Sequence, residues 1–152
     1  MREGQRIALD VGAVRIGVAR CDRLGLLAVP LDAVPAGPQS VPAVVRLVDE
    51  FETIEVVCGF PISMNGTVGQ AAAHVLEWVR DLAVQISTPI RLVDERLTTV
   101  QAQRQLHAAG KTTRSSRGVI DSASAVVMLQ AALDAEKSHG SAPGRILRRE
   151  EL

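Results

Sequence analysis

The sequence predicts an α/β fold: a single domain with a mixed, five-stranded sheet that opens with three antiparallel strands and is flanked by helices. The chain has 152 residues, of which 47% are hydrophobic, which is enough for one core and too little for two ordinary domains. Three apolar segments rich in β-branched residues come first, and helical and strand-like segments alternate after them, as in mixed sheets with helices on both faces. We assign residues 1–137 to this domain and residues 138–152 to a flexible C-terminal tail.

The first third of the chain predicts a three-stranded antiparallel meander followed by a helix. Strands are expected over Arg6–Val11 and Arg15–Asp22, because two apolar runs separated by a short glycine-containing stretch favour a hairpin. A third strand is expected over Leu26–Leu31. The segment Pro35–Pro42 predicts a linker, and Ala43–Phe51 is typical of a helix.

The rest of the chain predicts strands and helices in alternation. Thr67 and Gln70 have the spacing of a capping box, which predicts where a helix begins. Gly110 predicts the end of the next helix, because glycine readily adopts the backbone conformation that closes one. The expected strands are Ile54–Gly59 and Ile90–Val93, and the expected helices are Val68–Gln85, Thr98–Gly110 and Val119–Lys137.

Composition excludes several classes of protein. No apolar run approaches the roughly 18 residues that a membrane-spanning helix needs. The start of the chain, Met1–Gln5, is polar and lacks the apolar stretch of a signal peptide, so we expect a cytoplasmic protein with no membrane partner. Cys21 and Cys58 have no further Cys or His at metal-binding spacing, and we expect both to be small core residues.

The charges are balanced in number but not in distribution. There are 17 basic and 17 acidic residues, and a net charge of zero argues against a protein that coats nucleic acid indiscriminately. Residues 96–120 nevertheless contain no acidic residue, so this segment is either a phosphate-facing surface or a solvated helix face and loop. Because aromatic residues are scarce, any nucleic acid is expected to be held by its backbone or shape. The basic residues of this segment are Arg96, Arg104, Lys111, Arg114 and Arg117.

Three acidic residues lie at positions where a functional role explains a carboxylate better than packing of the core does. Asp10 interrupts an apolar strand, and a carboxylate inside a buried strand is costly unless a cation or hydrogen bonds compensate it. Glu95 follows the last predicted strand, and Asp121 lies in the first turn of the final helix. The alternatives are that Glu95 merely ends a strand and that Asp121 complements the helix dipole.

If the first strand is central and the last predicted strand neighbours it, Asp10 and Glu95 meet at one edge of the sheet, with Asp121 brought in by the final helix. Three carboxylates that lie this close together repel one another unless divalent cations neutralise their charge. Ligands that are all oxygen favour Mg²⁺ or Mn²⁺. Two such ions can activate a water and stabilise the leaving oxygen of a phosphodiester.

Four ordered motifs resemble the signatures of the bacterial YqgF/RuvX family of RNase H-like, RuvC-related nucleases. The resemblance extends from about Arg6 to Asp134, and the first and third motifs are the most telling. The motifs are LDVGAVRIGVA at Leu9–Ala19, GFPISMNGTVG at Gly59–Gly69, VDERLTT at Val93–Thr99 and VIDSASAVVMLQ at Val119–Gln130.

The resemblance implies an RNase H-like (RuvC-like) fold and an endonuclease that hydrolyses nucleic-acid phosphodiesters. It associates the chain with maturation of the 5′ end of pre-16S rRNA in ribosome biogenesis, and alternatively with resolution of four-way DNA junctions. A resolvase cuts two strands symmetrically, so that alternative also implies a homodimer. The expected partner is therefore precursor rRNA or branched DNA.

The resemblance also assigns roles to residues. Asp10, Glu95 and Asp121 match the family's acidic positions, so they are expected to be catalytic and to hold Mg²⁺ or Mn²⁺. Asp10 would bridge the ions, Glu95 would hold one, and Asp121 would help to position the attacking water. Together with the basic segment, the resemblance predicts a set of substrate-binding residues: Arg15, Arg96, Thr98, Lys111, Arg114 and Arg117.

The chain departs from the family pattern in two places. Related nucleases often carry a fourth acid near the last one, but Ser124 stands three positions after Asp121. The loop at Lys111–Arg117 is also less basic than is usual for the family. Two other classes remain open. One is an actin-like phosphate-binding fold, but its members close two such domains around ATP and this chain is long enough for only one. The other is a catalytically inert nucleic-acid-binding or scaffolding protein that works in ribosome assembly or transcription.

Overall fold

The computed structural model describes residues 1–61, 69–95 and 121–151, which form one six-stranded sheet with helices on both faces. A short 3-10 helix at Arg149–Glu151 follows the last strand. The strands are β1 Arg6–Val11, β2 Arg15–Cys21, β3 Ala28–Pro35, β4 Glu55–Phe60, β5 Ile90–Asp94 and β6 Arg145–Ile146. The described helices are α1 Ser40–Glu50, α2 Gln70–Ala83 and α3 Ala123–His139.

The sheet has the order β3-β2-β1-β4-β5-β6. β1, β2 and β3 form the predicted antiparallel meander, whereas β4 and β5 run parallel to β1. β1 and β4 are central and almost wholly buried, which is why both consist of near-continuous apolar residues. The predicted mixed sheet, with its first strand at the centre, is confirmed.

Helices pack on both faces of the sheet. α1 and α2 pack on one face, where Leu9 and Val56 belong to a large apolar core. Among the described elements, α3 covers the other face, where it packs against small residues that include Ala8 and Ala19. Small side chains at this contact let the helix backbone lie close to the strands, which matters for the site described below. Cys21 and Cys58 are free and buried, as expected.

Prolines explain two differences from the sequence prediction. β3 begins at Ala28 and extends to Pro35, beyond the predicted Leu26–Leu31, because an outer strand tolerates proline where a central one does not. α1 begins at Ser40, inside the predicted linker Pro35–Pro42. Pro42 lies in its first turn, where a backbone N–H has no partner within the helix and its loss costs little.

The described residues already form six strands, so the predicted count of five is wrong. The additional strand, β6, pairs antiparallel with β5 and comes from the segment that was expected to be a tail. A strand of two residues is too short to produce an alternating pattern in the sequence. The predicted capping residue Thr67 and the predicted helix over residues 98–110 lie outside the described residues.

A buried network of ion pairs ties the N-terminal segment, the sheet and α3 together. Arg6, Glu55 and Glu136 are buried. Glu136 on α3 accepts hydrogen bonds from Arg2 at 2.6 Å and Arg6 at 3.0 Å. Glu55 on β4 accepts them from Arg2 at 2.9 Å and Arg91 at 3.0 Å. The network therefore joins four segments that are remote in sequence.

The arginines outweigh the effect of burial on the two carboxylates of this network. Burial works to raise the pKa of Glu136, but its hydrogen bond to Arg2 and the charges of Arg2 and Arg6 leave that pKa lowered. The pKa of Glu55 is lowered in the same way by Arg2 and Arg91. Both carboxylates are thus held ionised in the folded protein.

None of the helices in the described part of the chain is long and apolar enough to cross a membrane.

Glu136→Gln should lower the free energy of unfolding by about 3 kcal/mol at pH 7, because it leaves the buried Arg6 without a counter-charge. A carboxylate with a lowered pKa contributes stability above its unfolded value of about 4.3, and the contribution is lost as the pH falls through the folded value. The deficit should therefore shrink in acid. Urea denaturation at several pH values measures it. Asp134→Asn, at an exposed position of α3, is the control, and equal stability of the two variants would contradict the prediction.

Candidate carboxylate site

Asp10 lies near the end of β1 and on the face of the sheet that α3 covers. It is directly opposite Gly17 of β2. On the other side of β1, Leu9 is in register with Cys58, which places Gly59 beside Asp10. Burial raises the pKa of Asp10, and a hydrogen bond from Ser124 partly offsets that effect.

Glu95 follows β5 and lies across Gly59. A Cβ atom at Gly59 would be 3.1 Å from both Cγ and Oε1 of Glu95, so the absence of a side chain there makes room for this carboxylate. β4 separates β1 from β5, and Glu95 bridges that separation by reaching over the glycine. Burial raises the pKa of Glu95, and the negative charges of Asp10 and Asp94 raise it further. The structure therefore brings Asp10 and Glu95 together, although the expected adjacency of their two strands is wrong because β4 lies between β1 and β5.

Asp121 lies two residues before the start of α3, and its backbone packs against Gly17 of β2. A Cβ atom at Gly17 would lie 2.7 Å from the carbonyl oxygen of Asp121 and 3.6 Å from Cβ of Asp10. Only glycine permits this approach without a shift of the backbone. The backbone of Asp121 therefore lies beside Asp10, at the same edge of the sheet.

Ser122 fixes the start of α3 to the sheet. The register of β2 and β3 shifts between Ile16 and Val18, and the Ser122 hydroxyl enters at this irregularity. It accepts a hydrogen bond from the N–H of Val18 at 3.0 Å and donates one to the carbonyl of Leu31 at 2.6 Å. Ser122 is fully buried, so Asp121 is held in place from its neighbouring residue.

Sequence reasoning missed the role of Ser122. A serine at the start of a helix is typical of an N-cap, yet Ser122 makes no capping hydrogen bond with its side chain. The signal for its actual role lies in the strands, where a register shift leaves backbone groups of the ladder in need of partners. That signal cannot be seen without the pairing of β2 and β3.

Ser124 occupies the place where related nucleases often carry a fourth acid. Its hydroxyl hydrogen-bonds to Asp10 and works to lower the pKa of that carboxyl. A neutral donor here supports the ionised form of Asp10 without adding negative charge. Ser124 in place of a fourth acid therefore replaces repulsion of the Asp10 carboxylate by a hydrogen bond to it.

Arg15 is the predicted substrate-binding residue that falls within the described part of the chain. Its Nε lies 3.0 Å from Oδ2 of Asp121, and the two side chains are 52% and 30% exposed. Arg15 thus stands at the mouth of the carboxylate site. The other predicted substrate-binding residues lie outside the described residues: Arg96, Thr98, Lys111, Arg114 and Arg117.

The donor chemistry of the site suits a hard divalent cation. Asp10, Glu95 and Asp121 offer only carboxylate oxygens, which Mg²⁺ and Mn²⁺ prefer. The mutual repulsion of Asp10 and Glu95 is also what a cation would relieve. Within residues 1–61, 69–95 and 121–151, however, no three acidic, His or Cys side chains are grouped closely enough to hold a metal ion. Asp121 is paired with Arg15 in this arrangement.

Comparisons of sequence relate the chain to known proteins. The model of a family described as "RuvX: Holliday junction resolvase" matches residues 4–135. A protein of Streptomyces avermitilis named "Putative pre-16S rRNA nuclease" is 49% identical over 149 residues, which cover 95% of this chain and 94% of that protein. A protein of the same name from Streptomyces coelicolor is 50% identical over 149 residues, covering 95% of this chain and 88% of that protein.

Comparison of structures confirms the fold. RuvC of Thermus thermophilus, solved in complex with a Holliday junction substrate, matches with a TM-score of 0.61 at 14% identity, covering 95% of this chain and 99% of that one. A second structure of Thermus thermophilus RuvC matches with a TM-score of 0.58, also at 14% identity, covering 94% of this chain and 99% of that one. RuvC has an RNase H-like fold, so the fold class implied by the motifs is correct.

Asp10→Asn should raise the free energy of unfolding by about 1 kcal/mol at pH 7 in the presence of a chelator, because it removes a poorly solvated charge and its repulsion of Glu95. The folded-state pKa of Asp10 is raised, so its ionisation costs stability that builds up as the pH rises from the unfolded to the folded value. The gain should vanish below the unfolded value of about 3.9. Thermal unfolding across this pH range measures it.

Asp49→Asn, at an exposed position of α1 on the opposite face of the sheet, is the control and should leave stability nearly unchanged. A gain of the same size in both variants, or a loss in Asp10→Asn, would show that the Asp10 carboxylate is not under electrostatic stress.

Proposed function

The chain belongs to the RuvX family, and from that membership we propose that it is a metal-dependent endonuclease that processes the 5′ end of pre-16S rRNA. The observation that carries this proposal is the convergence of Asp10 and Glu95 over Gly59, with the backbone of Asp121 beside them. Relatives about half identical over nearly the whole chain bear the name of such a nuclease. The proposal includes a cytoplasmic location, where the ribosomal precursor would be its substrate.

We assign the binding of Mg²⁺ or Mn²⁺ to Asp10, Glu95 and Asp121. When bound, such ions lower the pKa of water and stabilise charge on the leaving oxygen of a phosphodiester. Ser124 supports the ionised form of Asp10 through its hydrogen bond. Glu95 is oriented by its position over Gly59, and Asp121 helps to orient the attacking water.

On the substrate side, we assign to Arg15 a contact with a nucleic-acid phosphate. Its guanidinium is half exposed at the mouth of the site, and a guanidinium can bind phosphate oxygens in a bidentate manner. Arg96, Thr98, Lys111, Arg114 and Arg117 are proposed to extend this contact along the backbone. Basic residues in this number would make binding weaken as salt rises.

Resolution of four-way DNA junctions is the second candidate. The description of the matching family favours it, and the RuvC that shares the fold was solved with a Holliday junction. A junction resolvase requires two active sites related by a two-fold axis, so this function predicts a homodimer. The names of the relatives favour the RNA substrate.

The purified protein should cleave precursor 16S rRNA near the mature 5′ end in the presence of Mg²⁺ or Mn²⁺. Asp10→Asn should reduce the rate by more than about 100-fold, since even the outer partners of a metal site are worth 10- to 100-fold. A four-way DNA junction serves as the competing substrate in the same assay. Asp49→Asn is the matched control for the loss of one carboxylate.

Three outcomes decide between the candidates. Preferential cleavage of the junction would transfer the function to DNA recombination. Cleavage that persists in Asp10→Asn would remove the carboxylate site from catalysis. Absence of cleavage of either substrate, together with normal 16S maturation in cells that carry Asp10→Asn, would point to the non-catalytic assembly factor.

A further inference from the structure

The ion pair of Arg15 with Asp121 joins a cation to one carboxylate of the proposed metal site. Nε of Arg15 lies 3.0 Å from Oδ2 of Asp121. The same carboxylate is assigned above to a divalent cation. A guanidinium and a metal ion both seek the negative charge of this group, so each weakens the binding of the other.

The backbones on both sides of this pair are held in place. The carbonyl of Arg15 accepts a hydrogen bond from the N–H of Gly12 at 2.9 Å, and Arg15 is paired with Pro35 of β3. On the other side, Asp121 is fixed by its contact with Gly17 and by the buried hydroxyl of Ser122. Any exchange of partners must therefore occur by rotation of the two side chains.

Both side chains have the exposure that such a rotation needs. Arg15 is 52% exposed and Asp121 is 30% exposed. Ion pairs this exposed are weak, because water screens them and two side chains must be ordered to form them. Asp10, by contrast, is hydrogen-bonded to the neutral side chain of Ser124.

We propose that Arg15 is a built-in counter-ion of Asp121 that competes with the divalent cation for this carboxylate. The inference rests on the proposed function, since it concerns the same metal site. In the metal-free protein Arg15 keeps Asp121 paired. Metal binding breaks the pair and leaves the guanidinium available for the phosphate contact assigned above.

Titration of the full-length protein with Mn²⁺ by calorimetry tests the competition. Arg15→Gln should bind Mn²⁺ about two- to five-fold more tightly than the unmodified protein, which is the range expected for an exposed ion pair. Arg145→Gln is the matched control. Arg145 pairs with Glu151 at 2.8 Å, and these side chains are 53% and 30% exposed, almost the same as Arg15 and Asp121. The control should leave Mn²⁺ affinity unchanged.

A double-mutant cycle separates direct pairing from a general effect of positive charge. In an Asp121→Asn background, Arg15→Gln should no longer tighten Mn²⁺ binding, because the contested carboxylate is gone. Tightening of the same size in that background would overturn the proposal in favour of a long-range field. If Asp121→Asn binds no Mn²⁺, the comparison of Arg15→Gln with the unmodified protein and with Arg145→Gln decides alone.

The outcomes distinguish this inference from the proposed function. Equal or weaker Mn²⁺ binding by Arg15→Gln overturns the inference and leaves the nuclease assay to stand on its own result. Tighter binding without cleavage of either nucleic acid supports the inference and removes the proposed nuclease function. Absence of Mn²⁺ binding in every variant overturns the inference together with the metal dependence.

Discussion

The packing of α3 across the sheet is the constraint on which the rest of the structure depends. The helix is held at one end by the ion pairs of Glu136 with Arg2 and Arg6 and at the other by the Ser122 hydroxyl between β2 and β3. Between these ends, small residues such as Ala8 and Ala19 bring the helix close to the strands. Because both ends are fixed, Asp121 begins at a defined place beside Asp10.

The carboxylates near the two ends of α3 have pKa values shifted in opposite directions. At the far end, arginines surround Glu55 and Glu136 and keep the pKa of each lowered. At the candidate site, burial raises the pKa values of Asp10 and Glu95, and the negative charges of Asp10 and Asp94 raise that of Glu95 further. The first arrangement stabilises the fold, and the second costs stability in a way that is typical of functional sites. The direction of the pKa shift therefore separates the carboxylates of the ion-pair network from those of the candidate site more clearly than burial does.

Sequence reasoning identified the acidic residues of the candidate site better than the residues that hold the surrounding elements in place. Asp10 stood out because a carboxylate within an apolar strand needs an explanation, and Glu95 because it follows a buried strand. Ser122, Glu55 and Glu136 did not stand out, because each owes its role to a partner that is remote in sequence. Proline had the same effect on boundaries, since Pro35 and Pro42 suggest a linker until it is known that β3 is an outer strand and that Pro42 lies in the first turn of α1.

The length of α3 separates the ion-pair network around Glu136 from the candidate carboxylate site. Seventeen residues at 1.5 Å each span about 25 Å, and substitutions so far apart usually have additive effects. Thermostability and chemistry can therefore be engineered independently in this scaffold. Substitutions in the arginine cluster around Glu136 should therefore change stability while leaving the candidate carboxylate site unaltered.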